Sequence, residues 1–153
     1  MSIEDRLAAL GHVLPPAAAP VAAYLPTVEA GGLLHVSGQL PFRDGAVMTG
    51  RIGEDADEAF GRLAAERCAL MILAQAKAAL GSLDRIARVV KLGVFVSSAP
   101  GFTAQPAVAN GASELMAAAF GEAGRHARSA VGVAVLPLGA VVEVDAILAL
   151  HAG

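Results

Sequence analysis

The chain has 153 residues, of which 56% are hydrophobic and only 16% charged, with a net charge of −3. That length holds one core and is short for two domains, while charge below the ~25% of an ordinary soluble domain implies that part of the exterior is buried against further copies in a closed symmetric assembly. The acidic balance and the lack of basic clusters disfavour nucleic acid, and Pro, Gly and polar residues interrupt every stretch that approaches the ~20 apolar residues of a membrane span.

The start, Met1-Ser2-Ile3-Glu4-Asp5-Arg6, is acidic and lacks the basic onset of a secretory signal, so a cytoplasmic location is expected. Ser2 is placed to cap a short helix through Leu10, with Glu4 and Asp5 in its first turn and Gly11 at its end. Leu14 to Pro20 has no periodicity and reads as an extended, proline-rich strap. Residues 1–23 are thus an N-terminal helix and strap, and 24–153 a single domain. Tyr24 to Val28 and Leu33 to Val36 read as strands around a Gly31-Gly32 turn. Ser37-Gly38-Gln39 interrupts the second, and a glycine there marks a bulge or the close approach of a ligand. Arg43-Asp44-Gly45 is a further turn before a short strand near Val47.

Asp55 or Asp57 opens the longest helix, which ends at Leu80 before Gly81. Its middle, Cys68 to Ala74, is apolar nearly all round and is expected to be buried on more than one side. Cys68 is the single cysteine, which excludes an internal disulfide, fits a reducing compartment and reads as a buried thiol. His12, His35, His126 and His151 have no metal-ligand spacing, so no metal is expected. Ile86 to Val96 is a long strand, Asn110 to Phe120 a second main helix, and Gly121 and Gly124 end it. Residues 128–137 and 141–147 close the chain as two apolar strands, read as a hairpin. The order predicts an α+β fold, a sheet with two main helices packed on one face. Glycine-rich nucleotide-binding fingerprints are absent.

In the first strand of that closing pair, alternation sets Val131, Val133 and Val135 on one face and Arg128, Ala130, Gly132 and Ala134 on the other. An arginine beside side chains too small to fill space indicates either a pocket or a face covered closely by another backbone. In a pocket, its planar fork suits a carboxylate or phosphate; otherwise it is a structural ion pair. Glu143, flanked by β-branched residues, is read as a half-buried carboxylate with a raised pKa, either a base or a partner for a cation such as Lys91. Asp145 shares its face and reads as a solvated edge residue. Hairpin register would set Glu143 opposite Ala134, roughly 20 Å from Arg128. Two such residues serve one small substrate only from different subunits.

Tyr24, Ser37-Gly38-Gln39-Leu40-Pro41, Arg128-Ser129-Ala130-Val131, Leu136-Pro137 and Val142-Glu143-Val144 resemble, in order, the signature blocks of the RidA (YjgF-like) family, also labelled L-PSP endoribonucleases or translation inhibitors. The resemblance implies a chorismate-mutase-like α+β fold and a homotrimer with sites between subunits. It also implies hydrolysis of imino and enamine acids to 2-oxo acids and ammonia without metal or organic cofactor. Carried over, Arg128 would hold the substrate carboxylate and Glu143 would orient or activate water. Tyr24, Ser37 and the Gly38 backbone would line the cleft, with Ala130 offering backbone groups and Asn110 matching a family asparagine. Ala130 stands where many deaminases of the family carry a cysteine. His126 would face the Arg128 cleft if the strand begins that early. The alternatives are a non-catalytic module that binds small carboxylates and, disfavoured by charge, a ribonuclease.

Overall fold

The computed structural model describes residues 1–20 and 22–153; Val21, inside the expected N-terminal extension, lies outside the described residues. Helix α1 (Ile3–Ala9) is opened by a reciprocal cap, in which the Ser2 hydroxyl accepts from the Asp5 amide (3.0 Å) and Asp5 accepts from the Ser2 amide (3.2 Å). Strands β1 (Thr27–Ala30) and β2 (Leu33–Gln39) form a hairpin whose two turn glycines, Gly31 and Gly32, have φ of 61° and 78°. Positive φ at both turn positions favours glycine, which adopts it without strain. The first strand starts at Thr27, three residues later than expected, and leaves Tyr24 outside the sheet. A register shift between Val36 and Gln39 is the anticipated bulge. Two short strands follow, β3 (Phe42–Arg43) and β4 (Ala46–Val47).

Helix α2 (Glu58–Leu80) is capped by Asp57, whose Oδ1 accepts from the Phe60 amide at 2.8 Å, and ends at Gly81. Asp55 instead accepts from the Arg51 amide. The apolar middle of α2 is buried all round, Cys68 included. Strand β5 (Ile86–Ser97) leads to α3 (Gln105–Phe120), then β6 (Ala127–Val133) and β7 (Val142–Leu150). Helix α3 begins five residues before the expected Asn110. Pro106 in its first turn, where a missing N–H costs nothing, is the start signal.

The closing strands are not a hairpin. β6 pairs with β5 in parallel, and β7 lies on the other side of β5, antiparallel both to it and to β2, in the order β1-β2-β7-β5-β6. The chain leaves the sheet after β6, turns through Leu138 at φ 58°, and bridges Ala140 to Thr49 before β7 begins. Two apolar strands of like pattern thus flank a third rather than pairing, with α3 providing the crossover that a parallel pair needs. Glu143 stands opposite Phe95, not Ala134, and Asp145 is on a central strand, not an edge.

Leu34, Val36, Leu92, Val94, Val96, Val142, Val144 and Leu148 turn one sheet face into the core under α2 and α3. Gly111 permits those helices to cross closely, since a Cβ there would run into the Arg62 carbonyl. Arg62 then ties α2 to α3, donating to Ala107 O (3.1 Å) and to Glu114 (3.0 Å). No described helix is long and apolar enough to cross a membrane.

Buried Gln75 on α2 donates to Ala18 O in the strap (2.6 Å) and to Gln39 Oε1 (3.3 Å), while Gln39 donates to Ser37 O across the bulge. Gln75→Ala leaves the buried Gln39 Oε1 without this donor. We expect a loss of roughly 1–3 kcal/mol in urea unfolding, with earlier proteolytic cutting of the strap.

Candidate functional site

The expected site residues fall into two groups on opposite faces of the sheet. Arg128, Ala130 and Gly132 pair with Leu92, Val94 and Val96, so they face the helices. Ala130 packs against the core, and Gly132, though exposed, lies close enough to the start of α3 that a Cβ on it would strike the Gln105 side chain. Arg128 reaches along this face to α3. Its Nη1 donates to Asn110 Oδ1 (2.8 Å) and to Ser113 Oγ (3.1 Å), and its Nη2 to Pro106 O (3.4 Å). Residues 106, 110 and 113 share one helical face. All three acceptors are neutral. Among the described residues no carboxylate lies within ion-pair distance of Arg128, and no described residue partners two of its five N–H donors.

Ser113 and Pro106 join Arg128 here without being among the expected site residues. Ser113 is legible as the i+3 neighbour of Asn110, once Asn110 is placed on a helix facing Arg128. His126 directly precedes β6 and does line a cavity of about 270 Å³ with Arg128, Ser113, Glu114, Ala117 and Arg125. Its Nδ1 meets Gly124 O at 2.7 Å and its Nε2 meets Ser113 Oγ at 2.8 Å.

Glu143, Asp145 and Ile147 point from β7 to the other face, away from α2 and α3. Here the glycines opposite the acids make room for them. A Cβ on Gly38 would sit 2.5 Å from Glu143 Oε2, and one on Gly93 would collide with Asp145. Burial raises the Glu143 pKa above the ordinary carboxylate value, and the charge of Asp145 adds to it. Burial also raises that of Asp145, against the opposing Gly93 amide and Lys91. Neither acid has a cation within ion-pair distance among the described residues, so Lys91 is not a contact partner of Glu143. Beneath Glu143, burial pushes the Cys68 thiol well up, as befits an inert core cysteine.

Ser37 Oγ donates to Leu25 O (2.8 Å), and Tyr24, 46% exposed, meets Gly38 and Gln39 in a small recess below the strap. Ser37 and Gly38 also border an open hollow of about 430 Å³ with Lys91, Phe95, Ser129 and Asp145. Ser37, Gly38 and Glu143 therefore form one group and Arg128, Asn110 and Ala130 the other, while Tyr24 stands before the start of β1 in a recess that Gln75 of α2 also lines. Arg128 is level with Ala146, three residues along from Glu143 and two strands across. That is about 10 Å in each direction, with the sheet between them. A single subunit cannot close both groups around one small molecule.

A family model described as "YjgF/chorismate_mutase-like, putative endoribonuclease" matches residues 4–150. Protein TCP17 of Trypanosoma cruzi is 56% identical over 151 residues, covering 97% of this chain and 94% of its own. A 2-iminobutanoate/2-iminopropanoate deaminase of Dermatophagoides farinae is 30% identical over 139 residues, covering 90% and 93%. The crystal structure of Atu1372, a protein of unknown function from Agrobacterium tumefaciens, superposes with a TM-score of 0.91 at 53% identity, covering 97% of this chain and 92% of that one.

Proposed function

The chain belongs to the YjgF/chorismate-mutase-like family that its sequence blocks resemble, and from that premise we propose that it hydrolyses 2-imino acids to 2-oxo acids and ammonia in clefts between the subunits of a homotrimer. The observation that carries this reading is Arg128. Its guanidinium is oriented by three neutral acceptors, has no carboxylate within ion-pair distance among the described residues, and keeps two donors for an anion. That is a built seat for a substrate carboxylate. The deaminase relative supports the imino-acid class.

Opposite faces of one sheet carry the two groups, so the second group would come from a neighbouring copy. Its open sheet face, with Val28 and Val131 about half exposed, provides the apolar surface for such an assembly. In the cleft Arg128 fixes the carboxylate, setting the adjacent C=N carbon beside the neighbour's Glu143. Glu143 takes a proton from water as its oxygen bonds to that carbon. Glu143 returns that proton to the nitrogen, giving the neutral tetrahedral adduct; it then takes the adduct's hydroxyl proton and passes it to the amine, so that the carbonyl forms as the C–N bond breaks and ammonia leaves. A raised carboxylate pKa favours this proton transfer.

A second reading, a carboxylate-binding module without turnover, is favoured by Ala130, which offers only backbone beside Arg128. The experiment is ammonia release from 2-iminopropanoate and 2-iminobutanoate generated in situ, alongside calorimetric binding of 2-oxobutanoate. Catalysed release supports the deaminase. Binding without release supports the module, and neither overturns both.

A further inference from the structure

We infer that Ser113 and His126 are positioning residues for the Arg128 guanidinium, fixing which of its N–H groups stay available to an anionic ligand; the inference rests on the carboxylate-holding reading of Arg128. Gly124 O can only accept, so the neutral His126 ring carries its proton on Nδ1, 2.7 Å away. Nε2 is then an acceptor, and the Ser113 hydroxyl donates to it across 2.8 Å. With its proton committed, Ser113 Oγ presents lone pairs to Arg128 Nη1 at 3.1 Å, while Asn110 Oδ1 accepts from the same nitrogen at 2.8 Å.

Both Nη1 hydrogens are thereby consumed on α3, and what is left for a ligand is Nε–H and one hydrogen of Nη2. Without His126 the hydroxyl is free to rotate, and its lone pairs need not face Arg128. Glu114 and Arg125 share the cavity, yet neither competes for this chain of bonds: Glu114 is held by Arg62 at 3.0 Å, and Arg125 lies 4.0 Å from Glu122.

Ser113→Ala is expected to raise KM for 2-iminobutanoate, and the calorimetric Kd for 2-oxobutanoate, about tenfold while kcat stays within about twofold, the mark of a lost ground-state binding contribution. Ser113→Thr, which keeps a hydroxyl, restores most of the affinity. His126→Phe weakens binding by about threefold to tenfold, and the double variant is no weaker than Ser113→Ala alone, because both act through one chain. Additive losses, or lowered thermal stability with unchanged KM and Kd, would overturn the inference. Failure of the underlying reading is separately visible, since the unaltered protein would then neither bind 2-oxobutanoate nor release ammonia.

Discussion

Arg128→Ala is expected to lower kcat/KM for 2-iminopropanoate by at least about a hundredfold and to abolish measurable binding of 2-oxobutanoate. Two charge-assisted bonds from the free donors contribute roughly 1.5–3 kcal/mol each, and about 1.4 kcal/mol is tenfold. Among the described residues the side chain is tied to α3 alone, through neutral acceptors that can hydrate once it is gone. Folding should therefore survive far better than function. Arg128→Lys should recover little, because a single ammonium cannot serve Asn110, Ser113 and Pro106 and still present a planar fork. Full activity in Arg128→Ala, measured by ammonia release, would remove the carboxylate seat from the mechanism.

Glu143→Gln should have the opposite balance, with kcat falling about 10²- to 10⁴-fold as expected for a lost general base and 2-oxobutanoate still bound. Stability should rise. Glu143 is isosteric with glutamine in its fit against Gly38, and its folded pKa is raised from the ordinary 4.5 by burial and by Asp145. The folded subunit thus holds that proton more tightly than the unfolded chain does. Its stability is greatest below the ordinary value and declines as pH climbs through the raised one, because the ion must then sit half-buried. Replacing the acid removes this decline, so the urea midpoint of Glu143→Gln should exceed that of the unaltered protein at about pH 7 and match it near pH 4. Asp145, shifted in the same direction, leaves some residual slope.

Much of this site was legible in local chemistry. Alternation put Arg128, Ala130 and Gly132 on one face, and pairing with Leu92, Val94 and Val96 places them so. The β-branched flanks of Glu143 indicated a half-buried acid, and Gly38 in Ser37-Gly38-Gln39 indicated a bulge. What local pattern could not resolve was pairing. Two apolar strands joined by a short proline-containing segment look like a hairpin, because period 2 reports faces and says nothing of neighbours. Their true partner, β5, lies 36 residues earlier for β6 (Lys91 pairs with Ala127) and is shared with β7. That correction removes the distance argument for a site between subunits and leaves a firmer one, since the two groups lie on opposite faces of one sheet. Ser113 was missed for a related reason. It lies one turn along from Asn110 in the expected helix, but only the parallel pairing of β6 with β5 turns that helical face toward Arg128, and the start of α3 at Gln105 adds Pro106 to it.

Whether Arg128 of one subunit and Glu143 of another serve one substrate is decided by mixing two variants. Arg128→Ala and Glu143→Gln, each nearly inactive alone, are unfolded together at equal concentration, refolded and assayed for ammonia release. Random assembly of a closed ring gives about one cleft in four an intact pair, so roughly a quarter of the unaltered activity should return. Activity no greater than the mean of the two separate variants would contradict a site shared between subunits.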